Sequence, residues 1–116
     1  MIAQEVPELS VIVGGFSHSF LYSGAGVYPD TELADGPYPV VVQRQDSSTC
    51  LIVHAYWFGK YVGVLNVKYD ITTGKVLNFS GMPVLMDSSI TPSKICSVYC
   101  DCFALTVYRF PSVLKI

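Results

Sequence analysis

Apolar residues fall along this chain in short runs broken by glycine, proline and small polar residues. No stretch repeats at the 3.6-residue spacing of an amphipathic helix. Residues 10–13 (Ser-Val-Ile-Val) form a compact apolar run closed by Gly14 and Gly15, which predicts a strand buried on both faces, as in the central sheet of an α/β layer fold. Residues 22–37 are rich in glycine, proline and aspartate and predict a long loop. Four strand-like runs follow, over 39–43, 49–56, 61–70 and 75–81. Their joints, Gln45-Asp46-Ser47-Ser48 and Asp70-Ile71-Thr72-Thr73-Gly74, carry hairpin chemistry. In the third run Val62, Val64, Asn66 and Lys68 alternate with Gly63, Leu65, Val67 and Tyr69, which predicts one mixed and one apolar face. The expectation is one strand, a long loop, then an antiparallel meander. After Ile90 the character changes: residues 91–116 hold three of the four cysteines and an apolar, aromatic run at 102–108 bracketed by Pro92 and Pro111. That tail reads as one or two further strands, or as sequence foreign to the fold.

Composition sharpens this picture. The 116 residues are 51% hydrophobic and only 14% charged, with a net charge of −2. Ordinary domains carry about 25% charged residues, and a disordered chain needs low hydrophobicity and high charge, so disorder is excluded. The acidic balance and the scattered basic residues leave nothing to neutralise a row of phosphates, which argues against nucleic acid as a partner. No apolar run reaches the roughly 18 residues of a membrane helix. The opening residues, Met1 to Pro7, have neither the basic nor the apolar region of a signal peptide.

Most candidate chemistry reduces to local structure. Cys96, Cys100 and Cys102 form one loose cluster and Cys50 stands alone, unlike the two short-spaced pairs of structural zinc; on a strand the three would share a face as small hydrophobes. Cys50 and His54 would lie roughly 13 Å apart on a strand, too far for proton transfer. Gly24-Ala25-Gly26 lacks the third glycine and the lysine of a phosphate loop. Asp30, Asp35, Asp46 and Asp70 sit at turns, where aspartate serves the backbone. Lys60 reads as solvated at a strand start, with Gly59 serving the backbone. Adjacent residues of a strand face opposite ways, so Trp57 and Phe58 read as core rather than as a base-stacking pair. His18 follows the glycine pair at the carboxyl end of the first strand, where open α/β sheets place ligands.

Four segments in order nevertheless resemble the animal 5′-nucleotidases and salivary apyrases. Residues 11–24 (Val-Ile-Val-Gly-Gly-Phe-Ser-His-Ser-Phe-Leu-Tyr-Ser-Gly) resemble their strand followed by Gly-Gly-His-Ser-(Asn/His/Gln)-Thr-Phe-Leu-Tyr-Thr-Gly. Residues 35–42 resemble their Gly-x-Tyr-Pro-x-x-Val strand, and residues 54–63 are similar to Gln-Ala-Tyr-x-Phe-Gly-Lys-Tyr-Leu-Gly. Residues 81–90 are similar to Gly-x-Pro-Ile-Leu-Leu-x-Ser-Ser-Ile. The pattern stops there, which divides the chain into a partial metallophosphoesterase domain over 1–90 and a divergent hydrophobic tail over 91–116.

The resemblance implies an α/β fold, here a strand-rich part of a four-layer α/β/β/α metallophosphoesterase sandwich. It implies a nucleotide substrate, an extracellular or cell-surface setting, and a centre of divalent ions (zinc, or magnesium or calcium) that polarises phosphate and supplies the attacking hydroxide. The family's ligand histidine falls on Phe16, which has no lone pair to give. His18 falls two residues later, on a variable polar position that in relatives lies at the other metal or the phosphate. The remaining ligand motifs would lie before Met1, and the domain that clamps the base would be a separate one. The expectation is therefore a hydrolase fragment without turnover of its own, whose ions are not retained. The alternative is a secreted non-catalytic nucleotide-binding or interaction module, and a third reading is a record lacking upstream exons. Asn78-Phe79-Ser80 is a glycosylation sequon that fits an extracellular origin. An interior cut open in this way is expected to expose apolar patches.

Overall fold

The structure is a computed structural model that describes residues 1–24 and 33–91, and the backbone of 108–110 and 113–115. It is strand-rich with little helix, as the apolar pattern implies. A single helical turn, α1 (Ile2–Glu5), precedes β1 (Val11–Val13). At four residues it is too short for its periodicity to register in the sequence.

β1 joins β2 (Val40–Gln43) and β3 (Thr49–Val53) in a three-stranded sheet of order β1-β3-β2. β1 runs parallel to β3, with Val11 opposite Leu51 and Val13 opposite Val53, while β2 and β3 form an antiparallel hairpin. At the hairpin turn the Asp46 carboxylate accepts from the Ser48 amide at 3.0 Å and from the Ser48 hydroxyl, and Ser47 takes a φ of 62°. The expectation of a first strand buried on both faces is corrected. β1 lies at the sheet edge and Val13 is 49% exposed, whereas Cys50, Leu51 and Val53 of β3 are buried because β3 alone has a strand on each side.

The antiparallel hairpins of the meander are present but divided between two sheets. β4 (Tyr61–Tyr69) pairs not with β3 but with β5 (Val76–Leu85), in a second sheet of order β5-β4-β7-β6. The chain leaves the first sheet through residues 54–60, where Tyr56, Phe58 and Gly59 have φ of 66°, 50° and 66°. Three left-handed residues in four break the extended run that the composition suggests. In the β4–β5 turn the Asp70 carboxylate accepts from the Thr72 and Thr73 amides, and Gly74 supplies a φ of 70°. β5 continues past the expected end at Gly81 to Leu85, with Pro83 on this edge strand opposite Gly63. Gly81 permits the pairing: a Cβ there would run into the Val64 carbonyl oxygen.

The tail contributes β6 (Tyr108–Phe110) and β7 (Val113–Lys115), with β7 antiparallel to β4 so that Val67 faces Leu114. Cys96, Cys100 and Cys102, Pro92 and Pro111, Asp30 and Gly26, and most of the run at 102–108 lie outside the described residues. The core joins both sheets: Leu51 and Val53 meet Leu65 and Val67, with Leu21 and Tyr38 completing the cluster. The Ser10 hydroxyl donates to the Tyr69 hydroxyl at 3.1 Å, between β4 and the residue before β1. No helix among the described residues is long and apolar enough to cross a membrane.

Candidate functional site

β1 and β3 are parallel neighbours, so the loops that leave their carboxyl ends, residues 14–19 and 54–60, emerge side by side. The Gly14 amide donates to the Val53 carbonyl at 2.8 Å and extends the pairing by one step. A side chain here would be tightly placed, because a Cβ on Gly14 would sit 3.0 Å from Cδ2 of the His54 ring.

His54 is buried beneath this turn. Its Nδ1 accepts from the Tyr56 amide at 3.1 Å. Its Nε2 finds no hydrogen-bond partner among the described residues. His54 thus steers the chain out of β3 as a buried hydrogen-bond acceptor. Cys50 is fully buried, and burial pushes its thiol up despite the opposing pull of Arg44, so it is a poor nucleophile.

The 14–19 loop reverses on Phe16 (φ 67°) and His18 (φ 55°), with the Ser17 amide donating to the Gly15 carbonyl at 2.8 Å. Its far end is pinned by Asp35, whose carboxylate accepts from the Phe20 amide at 2.8 Å while its own amide donates to the Phe20 carbonyl at 2.7 Å. Phe16 is 100% exposed. The His18 ring, also exposed, lies 5.3 Å from the Trp57 ring and 6.3 Å from the Phe58 ring, and those two rings are 4.7 Å apart.

The reading of Trp57 and Phe58 as core residues on opposite faces is therefore corrected. They lie in a turn rather than on a strand, are 39% and 82% exposed, and bring their rings together beside His18. Beneath them Phe20 stacks on Tyr61 at 4.8 Å, and Tyr56 lies 5.5 Å from Phe20 and 5.6 Å from Trp57. Lys60, half-buried just before β4, has its ammonium 5.6 Å from the centre of the Tyr56 ring, within cation–π reach. The aromatic cluster escaped the sequence because non-glycine residues with left-handed φ leave no compositional mark. Gly59, directly after Trp57-Phe58, was the one available sign of a turn.

Among the described residues, no three side chains of the His, Cys, Asp and Glu types come together as a metal-binding group. Phe16 offers no donor, and Nδ1 of His54 is occupied by the Tyr56 amide. The carboxylates of Asp46, Asp70 and Asp87 are spent on turns, where hydrogen bonds from Ser48, from Thr73 and Thr72, and from Ser89 hold them below the usual range. The described residues do not fit a two-metal centre. Asn78 is exposed on the outer side of the β4–β5 hairpin, beside a shallow hollow of about 170 Å³ that Asn66, Lys68 and Ser80 also line.

No family model matches the chain. It is 44% identical over 93 residues to the snake venom 5′-nucleotidase of Crotalus adamanteus, covering 80% of this chain and 15% of the relative. To the 5′-nucleotidase of Homo sapiens it is 42% identical over 90 residues, 78% of this chain and 15% of the relative. Among solved structures, the 5′-nucleotidase precursor from Thermus thermophilus is similar with a TM-score of 0.63 and 37% identity, over 78% of this chain and 17% of that one. The chain thus spans about 15% of the length of the curated relatives it matches. Over that shared stretch fold and sequence agree, and both are consistent with the 5′-nucleotidase family.

Proposed function

We propose that this chain is a segment of a metal-dependent 5′-nucleotidase-type hydrolase that removes phosphate from extracellular nucleotides, and that the segment alone does not turn substrate over. One observation carries this reading. Where the resemblance calls for a ligand histidine, the chain has Phe16, turned outward with left-handed φ and fully exposed. A metal site needs its full ligand count, and a phenyl ring removes one donor outright. His18 adds one candidate donor, short of the three or four that a bound ion takes from protein.

In this reading residues 1–90 are the partial metallophosphoesterase domain and 91–116 a divergent tail. The divalent ions belong to the complete relatives, and Asn78 is a surface site for a glycan. The direct check is phosphate release from AMP by the purified chain with added zinc or magnesium. No release is expected; release that a chelator abolishes overturns the proposal. The alternative, a secreted non-catalytic nucleotide-binding module, is favoured by a separate observation: exposed aromatic rings gathered at the strand ends.

A further inference from the structure

We propose that His18, Trp57 and Phe58 form a ledge on which the base of a free nucleoside or nucleotide stacks, purines ahead of pyrimidines. The inference rests on the nucleotide-binding alternative and names the residues that carry it. Three observations converge. The rings contact one another at 4.7 to 6.3 Å and yet leave Phe58 82% exposed, so the cluster is formed before any ligand arrives. Tyr56, 5.6 Å from the Trp57 ring, joins this cluster to a second aromatic group with Phe20 and Tyr61.

The loops that carry the ledge adopt left-handed φ at Phe16, His18, Tyr56 and Phe58, none of them glycine. Such conformations are disfavoured for bulky side chains and gather at ligand sites. The occupant follows from the surface. Flat π faces reward a planar ring and give nothing to a bare sugar or phosphate, and a purine offers more stacking area than a pyrimidine.

Trp57 is the sole tryptophan of the chain, so its emission reports the ledge directly. The full chain is titrated with AMP, adenosine, cytidine and ribose 5-phosphate. AMP and adenosine are expected to quench saturably, cytidine more weakly, and ribose 5-phosphate not at all. Phe58→Ala should weaken AMP binding roughly 5- to 100-fold, the worth of one base–aromatic contact, while Phe58→Tyr retains it. Because Phe58 is exposed, its replacement leaves the core untouched, and an unchanged melt confirms this. Equal quenching by ribose 5-phosphate, no saturable response to adenosine, or unchanged affinity in Phe58→Ala overturns the ledge. Phosphate release in the same mixtures overturns the absence of turnover and leaves the ledge standing, so the two failures are distinguishable.

Discussion

Arg44 ties the start of the chain to the first sheet, and its removal has a calculable cost. Its Nε donates to the Ala3 carbonyl at 2.6 Å, Nη2 to the Val6 carbonyl at 2.9 Å and to the Leu9 carbonyl, and Nη1 to the Ser48 hydroxyl at 3.1 Å. One guanidinium thus gathers α1, the connection to β1 and the β2–β3 turn. A charge-assisted hydrogen bond contributes about 1.5–3 kcal/mol net, and the part-buried bonds to Ala3 and Val6 belong at the lower end because water can replace them. The bond to Leu9 is exposed and adds little. Arg44→Met, which keeps most of the aliphatic stem, should therefore cost about 3 kcal/mol, a large part of a typical 5–15 kcal/mol stability. At roughly 4 °C per kcal/mol the melting temperature falls by about 12 °C. Arg44→Lys should fall between the two, because a point charge cannot reach several carbonyls with the planar fork. Melting followed by circular dichroism measures both variants. Hydrogen exchange at the Leu51 amide, which donates to the Ser10 carbonyl at 2.9 Å, reports whether β1 loosens first. A melt for Arg44→Met within about 2 °C of the parent, or Arg44→Lys indistinguishable from it, refutes the reasoning.

Two further outcomes follow from single positions. Gly81→Ala drives a Cβ into the Val64 carbonyl on the paired strand, where backbone cannot yield cheaply, so the loss should reach the top of the ~1–3 kcal/mol range for overpacking; denaturant unfolding that gives less than about 0.5 kcal/mol refutes the clash. Burial pushes the Tyr38 phenol up to about 12 from its ordinary 10.0, so the folded state favours the neutral form. Its contribution is fully present below pH 10.0 and is lost as the pH rises toward about 12. Melting temperatures taken across that window should fall more steeply for the parent than for Tyr38→Phe, and parallel curves refute the assignment.

The strands that one face buries were legible in the sequence. β4 alternates as its residues do, burying Tyr61, Leu65 and Val67 while exposing Val62 and Lys68, and the Asp70 and Gly74 chemistry marks its turn. The change of sheet was not legible. Thr49 to Tyr56 reads as one apolar run, and nothing in the residue types of Tyr56 or Phe58 announces a left-handed backbone. Strand parity misplaces Trp57 and Phe58 because neither residue is on a strand. β1 looked central because Val-Ile-Val is apolar throughout, and apolarity does not say how many neighbouring strands a segment finds. Arg44 is equally silent, since three of its four partners are backbone carbonyls 35 to 41 residues away that carry no sequence signature.

The low charge of the chain comes to rest at two kinds of surface, and the backbone tells them apart. On the outer face of the β4–β5 hairpin, Val62 lies opposite Val84 and Val64 opposite Met82, and Val62, Val84 and Met82 are exposed. Those residues sit on ordinary extended backbone, where alternation alone turns them outward. An apolar sheet face of this kind is the normal surface on which a layered fold stacks its next element. The rings of Phe16, His18 and Phe58 are different, because each is turned outward by a residue with left-handed φ. Relaxing any of these residues to the right-handed or extended region would relieve about 1 kcal/mol or more. The sheet face is thus apolar as a by-product of its strand, whereas the exposure of the ledge is held against a local cost. Of these two apolar surfaces among the described residues, it is the ledge that carries backbone strain of the kind that gathers at binding sites.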